Sequence, residues 1–171
     1  MDRALKQASL HVVSGYSLVV PLVIEGLPEV IEALGIRWRR KREFHLTAIA
    51  ARVIEGLDGG EAVWEQVTEV ASGRYLGPVI ASDEIRRVRD PDGSELETLI
   101  VMVRCPGLKD LYRDLSSALR VELTPPPAHV TLYSTDSAAG IGIVDQAELT
   151  QRAPPLSVAE QDEVRQATGF P

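Results

Sequence analysis

The chain has 171 residues, 44% hydrophobic and 25% charged, the balance of an ordinary globular protein. That length suits a single domain over 1–171 and is too short for two independent ones. A formal net charge of -7 argues against broad gripping of duplex DNA, which takes a basic face, and a single cysteine leaves neither an internal disulfide nor a cysteine cluster for a metal.

Taken in chain order, residues 9–24 are rich in valine, leucine and tyrosine and predict a strand, broken near Ser14-Gly15. The apolar stretch Leu18 to Ile24 is too short for a membrane span and is interrupted by Pro21. Arg3 and Lys6 precede apolar residues, but polar positions and the lack of a small-x-small cleavage site make this a poor signal peptide, so a cytoplasmic protein is expected. Pro28 sits where a helix can begin, Val30, Ile31 and Leu34 share one helical face, and Gly35 can end it; a helix over 28–34 is predicted. Arg37, Arg39, Arg40, Lys41 and Arg42 then gather five of the 18 basic residues into six positions. The run reads either as a solvated strand edge that discourages aggregation or as an anion-attracting rim, and Trp38 within it reads as surface packing or a base-stacking ring. A strand over 43–50 follows, then a loop at 56–60 and a helix carrying Val63, Trp64, Val67, Val70 and Ala71.

Asp90-Pro91-Asp92-Gly93 predicts a turn between strands at 76–89 and 95–104. Pro106-Gly107 opens a helix with a stripe of Leu108, Leu111, Tyr112, Leu115 and Leu119, which is core. Three prolines, 125–127, lead stiffly into a strand at 128–134. A further strand is predicted near 140–145; its Gly140-Ile141-Gly142 is only a fragment of a phosphate-loop pattern and reads as close strand packing. Ser157 and Glu160 have capping-box spacing and mark a last helix. Strand, helix, strand thus occurs twice, each time ending in an element with His-apolar-Thr.

Two of the three histidines are followed by an aliphatic residue and then threonine: His45-Leu46-Thr47 and His129-Val130-Thr131. Side chains alternate along a strand, so His45 shares a face with Thr47, and His129 with Thr131 and Tyr133. Strands placed side by side would set two imidazoles about a phosphate-sized gap. Histidine, with an unperturbed pKa near 6.5, can take a proton from water or give one to a departing oxygen at neutral pH. The threonine hydroxyls can donate to phosphate oxygens. Two histidines without HExxH or a neighbouring carboxylate pattern make a poor metal set, so neither metal nor other cofactor is expected. Tyr133 reads either as a ring that stacks on a base or as half-buried packing, His11 lacks the threonine and reads as structural, and Cys105 reads as a small buried hydrophobe. Asp136 and Asp145 could orient a histidine ring.

Glu43-Phe44-His45-Leu46-Thr47-Ala48 and Pro127-Ala128-His129-Val130-Thr131-Leu132 resemble the duplicated signature of the two-histidine phosphoesterase superfamily, which includes bacterial RNA 2',3'-cyclic phosphodiesterases, also described as 2'-5' RNA ligases. The resemblance implies an α+β fold of two pseudo-symmetric lobes, each an antiparallel sheet with packed helices, with a cleft between them. It implies His45 as general acid, His129 as the base that activates water, and Thr47 and Thr131 as phosphate holders. The implied activity is metal-independent hydrolysis of a 2',3'-cyclic phosphate, and the implied partner a nucleotide or RNA 3' end, met by a monomer. The chain departs from the bacterial RNA type in Ala48-Ile49-Ala50-Ala51, where that group has leucine, an aromatic and glycine. It departs again in Tyr133-Ser134, where that group has a small and then a basic residue. RNA, a mononucleotide and another small cyclic phosphate stay open as substrates. The alternative is a nucleotide- or RNA-end-binding module without turnover.

Overall fold

The computed structural model describes residues 3–7, 11–13, 17–90, 94–136 and 140–170, and for 3, 4, 7 and 11–13 the backbone alone. The described residues form a mixed α+β fold. Its strands are β1 (Arg3–Gln7), β2 (His11–Val13), β3 (Ser17–Val23), β4 (Val30–Ala33), β5 (Ile36–Arg40), β6 (Phe44–Ile49), β7 (Val79–Arg89), β8 (Glu97–Arg104) and β9 (His129–Ser134). The helices α1 (Ala51–Glu55) and α2 (Gly60–Ala71) follow β6, α3 (Gly107–Leu119) follows β8, and α4 (Gln146–Arg152) and α5 (Val158–Thr168) follow β9. The expected break at Ser14-Gly15, the tip of the turn after Asp90 and the His11 side chain lie outside the described residues.

All strand pairing is antiparallel, and six strands close on themselves in the order β1, β3, β6, β9, β8, β7 and back to β1. Closure pairs the backbone groups that open sheet edges would leave exposed. The pairing has a two-fold pattern: exchanging β1 with β7, β3 with β8 and β6 with β9 turns β1–β3 into β7–β8 and β3–β6 into β8–β9, and leaves β6–β9 and β1–β7 as they are. The sheet is continuous across these halves, so a cleft between two separate lobes is not shown by it.

The barrel wall has two faces. One carries Val20, Leu22, Leu46, Ala48, Val101, Val103, Val130 and Leu132, which join Val67 of α2, Leu111 and Leu115 of α3 and Val164 of α5 in the main core. The other carries Val88 and Ile100, which Ile141, Ile143, Leu149 and Ala153 cover as a second, smaller core. The helical stripe expected from Pro106 onward is α3, with Leu108, Leu111, Tyr112 and Leu115 buried. Glycine is required at its start: Gly107 donates its N–H to the Leu76 carbonyl at 2.8 Å, and a Cβ there would stand 2.4 Å from that same oxygen. Cys105 is buried as expected, and burial pushes its thiol pKa up. The capping box at Ser157 and Glu160 is present.

Three expectations are corrected. Residues 28–34 are not a helix but enter a β4–β5 hairpin, in which Ile31 and Ala33 turn inward while Val30 and Glu32 turn out. Its two-residue turn, Leu34-Gly35, has φ of 57° and 70°, the doubly positive geometry of a type I′ turn. Leucine is a poor residue for that conformation, and the Glu163 carboxylate of α5 accepts the Leu34 N–H at 2.6 Å, holding it there. Trp38 is not at the surface: it is fully buried and its indole N–H donates to the Ala33 carbonyl at 2.9 Å. Residues 140–145 form no strand; the inward Ile141 and Ile143 mimic its alternation while Asp145 caps α4.

Candidate functional site

The register of the wall assembles the site. β3 pairs with β6 through Val19–Thr47 and Pro21–His45, β6 with β9 through Leu46–Val130, and β9 with β8 through Thr131–Ile100 and His129–Met102. Antiparallel pairing at Leu46–Val130 sets His45 beside Thr131 and Thr47 beside His129. The two histidines therefore occupy opposite corners of a four-residue patch, with backbones roughly 7–8 Å apart on the diagonal. Leu46 and Val130, at its centre, point into the main core and anchor both strands. Strand alternation sets His45 with Thr47 on one face of β6 and His129 with Thr131 on one face of β9; the pairing brings the four together.

All four line a cavity of about 300 Å³, room for a phosphoryl group and part of what it carries. Lys41 and Glu43 form one side and the Gly140-Ile141-Gly142 segment another. Ile141 is held in the second core, whereas a Cβ at Gly140 or Gly142 would meet nothing within 4 Å. The Gly142 carbonyl accepts hydrogen bonds from Arg52 at 3.1 Å and Arg152 at 3.3 Å, and Arg52 also pairs with Glu148 at 2.6 Å. This segment thus lines the cavity, which its reading as strand packing had missed; the two glycines flanking a buried isoleucine were the available signal. Lys41 was visible only as part of the basic run. That run is not a sheet edge, because β5 lies between β4 and β9, and its end at Lys41 reaches the cavity.

His129 is oriented by the backbone. Its Nδ1 lies 2.7 Å from the Pro127 carbonyl, which can only accept, so Nδ1 carries the hydrogen and Nε2 keeps a lone pair for the cavity. Burial holds the imidazole pKa below its ordinary value; the Pro127 hydrogen bond works against that and the nearby His45 adds to it. A depressed pKa keeps the ring neutral at pH 7, the form that accepts a proton. His45 is exposed. Burial lowers the Lys41 pKa, while Asp136 and Glu43 oppose the shift. Asp145 does not orient a histidine ring: its carboxylate accepts the Glu148 N–H at 2.7 Å.

Tyr133 is not in the cavity. β9 carries an extra residue against β8 between Thr131 and Tyr133, as Ile100 pairs with Thr131 and Leu99 with Tyr133. A bulge breaks the two-residue alternation, and Tyr133 turns into the main core with its hydroxyl donating to the Pro28 carbonyl at 3.0 Å. Burial pushes its phenol pKa up to about 12. Tyr133→Phe is expected to cost about 1 kcal/mol of stability and to leave ligand binding unchanged, as urea unfolding and titration with a nucleoside monophosphate would report.

Among the described residues, no group of three or more His, Cys, Asp or Glu side chains is arranged to hold a metal ion, and no helix is long and apolar enough to cross a membrane. Comparison with protein-family models, curated proteins and solved structures gave no match to this chain.

Proposed function

We propose that this chain is a divergent two-histidine phosphoesterase that opens a 2',3'-cyclic phosphate on a nucleotide or an RNA end without a metal. The observation that carries this reading is the convergence of His45, Thr47, His129 and Thr131, from two stretches far apart in sequence, on one cavity. The two-fold pattern of strand pairing supports reading β1-β3-β6 and β7-β8-β9 as the two lobes, with the cavity as the cleft between them.

In this mechanism water attacks phosphorus and gives its proton to Nε2 of His129, the nitrogen left free by the Pro127 hydrogen bond. The bond from phosphorus to one ribose oxygen breaks, and that oxygen takes the electron pair and a proton from His45. Water has been added across the P–O bond to give a phosphomonoester. The two imidazoles then restore their starting states by proton exchange with solvent. Thr47 and Thr131 donate to the non-bridging oxygens as charge gathers there. The half-buried His129, its pKa held below the ordinary value, fits the base and the exposed His45 the acid.

The pH dependence follows from the sign of the His129 shift. The base must be unprotonated, so kcat/KM rises with pH along a limb whose midpoint lies below the ordinary histidine value of about 6.5. The same shift makes the folded chain the weaker proton binder, so its contribution to stability is present above about pH 6.5 and is lost as pH falls through the lower folded value. The test is turnover of a nucleoside 2',3'-cyclic phosphate across pH with excess chelator, product identified by phosphorus NMR. Metal-dependent turnover, or nucleotide binding with no hydrolysis at any pH, overturns the proposal.

A further inference from the structure

A second and larger recess, about 590 Å³, opens beside the catalytic cavity and shares Lys41, Glu43 and His45 with it. Its apolar lining includes Pro21, Val23 and Phe44, and Val23 is 55% exposed. Its basic side is Arg40, Lys41 and Arg42. Glu43 is the one carboxylate lining it among the described residues, so the recess carries an excess of positive charge on a chain whose formal net charge is -7. The three cations differ. Arg40 donates to the Leu27 carbonyl at 2.6 Å and faces Glu29 at 4.0 Å. Lys41 feels the charges of Asp136 and Glu43. Arg42 is exposed and, among the described residues, has neither an ion pair nor a hydrogen bond.

His45 stands at the junction of the two spaces. As the acid of the proposed reaction, it sits beside the oxygen that leaves phosphorus and stays on the ribose. Whatever that ribose carries therefore passes His45 into the recess. Resting on that reading of the site, we propose that the recess is a second subsite that takes the next phosphate along the chain, with Arg42 its principal cation. The favoured substrate is an oligonucleotide end, whose internal phosphodiester meets Arg42, and a lone nucleoside cyclic phosphate lacks that group. The apolar lining offers a surface to the sugar and base between the two phosphates.

The test compares a nucleoside 2',3'-cyclic phosphate with a dinucleotide ending in the same group, on the unmodified chain and on Arg42→Ala and Arg42→Glu. The expected kcat/KM favours the dinucleotide by about tenfold at low salt, the scale of one charge-assisted phosphate contact. Arg42→Ala removes that preference by lowering turnover of the dinucleotide alone, and Arg42→Glu reverses it. The salt dependence of dinucleotide affinity also falls by about one unit of slope in Arg42→Ala. Equal kcat/KM for the two substrates in the unmodified chain, or equal losses on both in Arg42→Ala, overturns the subsite and leaves the catalytic reading standing. If neither substrate is hydrolysed the catalytic reading fails, and the subsite is then judged by binding of a nucleoside 3'-monophosphate against a dinucleotide 3'-monophosphate. A preference for the longer ligand that Arg42→Ala abolishes supports it; equal binding overturns it.

Discussion

His129→Ala is expected to lower kcat/KM on a nucleoside 2',3'-cyclic phosphate by about 100- to 10,000-fold, and His45→Ala by a similar factor, because each removes one proton transfer from the transition state. The double variant should fall little further than the worse single one, since the two rings act on a single event. Neither change should unfold the chain: both residues stand on the face of the wall opposite the main core, and their neighbours Leu46 and Val130 do the anchoring. His129→Asn sharpens the test. Its amide N–H can still donate to the Pro127 carbonyl, as Nδ1 does now, but it offers no base. Stability should stay near that of the unmodified protein while activity falls as far as in His129→Ala. Full activity in any of these variants would remove the two-histidine mechanism.

Trp38→Ala is expected to destabilise the fold by about 3–5 kcal/mol, the range for deleting a buried aromatic ring. The ring is fully buried in the main core, and its loss also leaves the Ala33 carbonyl without its indole donor. Against a total stability of about 5–15 kcal/mol, a loss of that size shows as a large drop in the urea midpoint. A tryptophan packed at the surface would change stability by only about 0.5 kcal/mol, so the measurement separates the position found from the one its basic neighbours implied.

Those neighbours show where sequence pattern loses its hold. Around Trp38 the flanking arginines alternate outward with a strand period, but a run of charge masks one buried ring. At 28–34 the apolar positions fit a short helix as well as a strand, and the turn lacks the Asn-Gly or Asp-Gly that would mark a hairpin; Leu34 is held by Glu163, 129 residues away, a contact no local window contains. Tyr133 was misplaced by a bulge that depends on how β9 meets β8. The helices α1 and α4 and the cavity wall at Gly140-Ile141-Gly142 went unforeseen for a like reason, since tertiary contacts decide them. The four His and Thr positions were legible because strand alternation is local and the motif occurs twice. Their meeting was not: it depends on a register set by Leu46 and Val130.

That register point also joins binding to folding. β6 and β9 pair at Leu46–Val130 alone, whereas β7 and β8 share a long ladder. The ring of strands is therefore buttoned most lightly where the two imidazoles stand. A ligand that touches both sides adds a clasp across this seam. By mass action it should tighten the closed state by RT ln(1 + L/Kd), with L the free ligand concentration, so a vacant protein and a loaded one differ in how firmly the circle is shut.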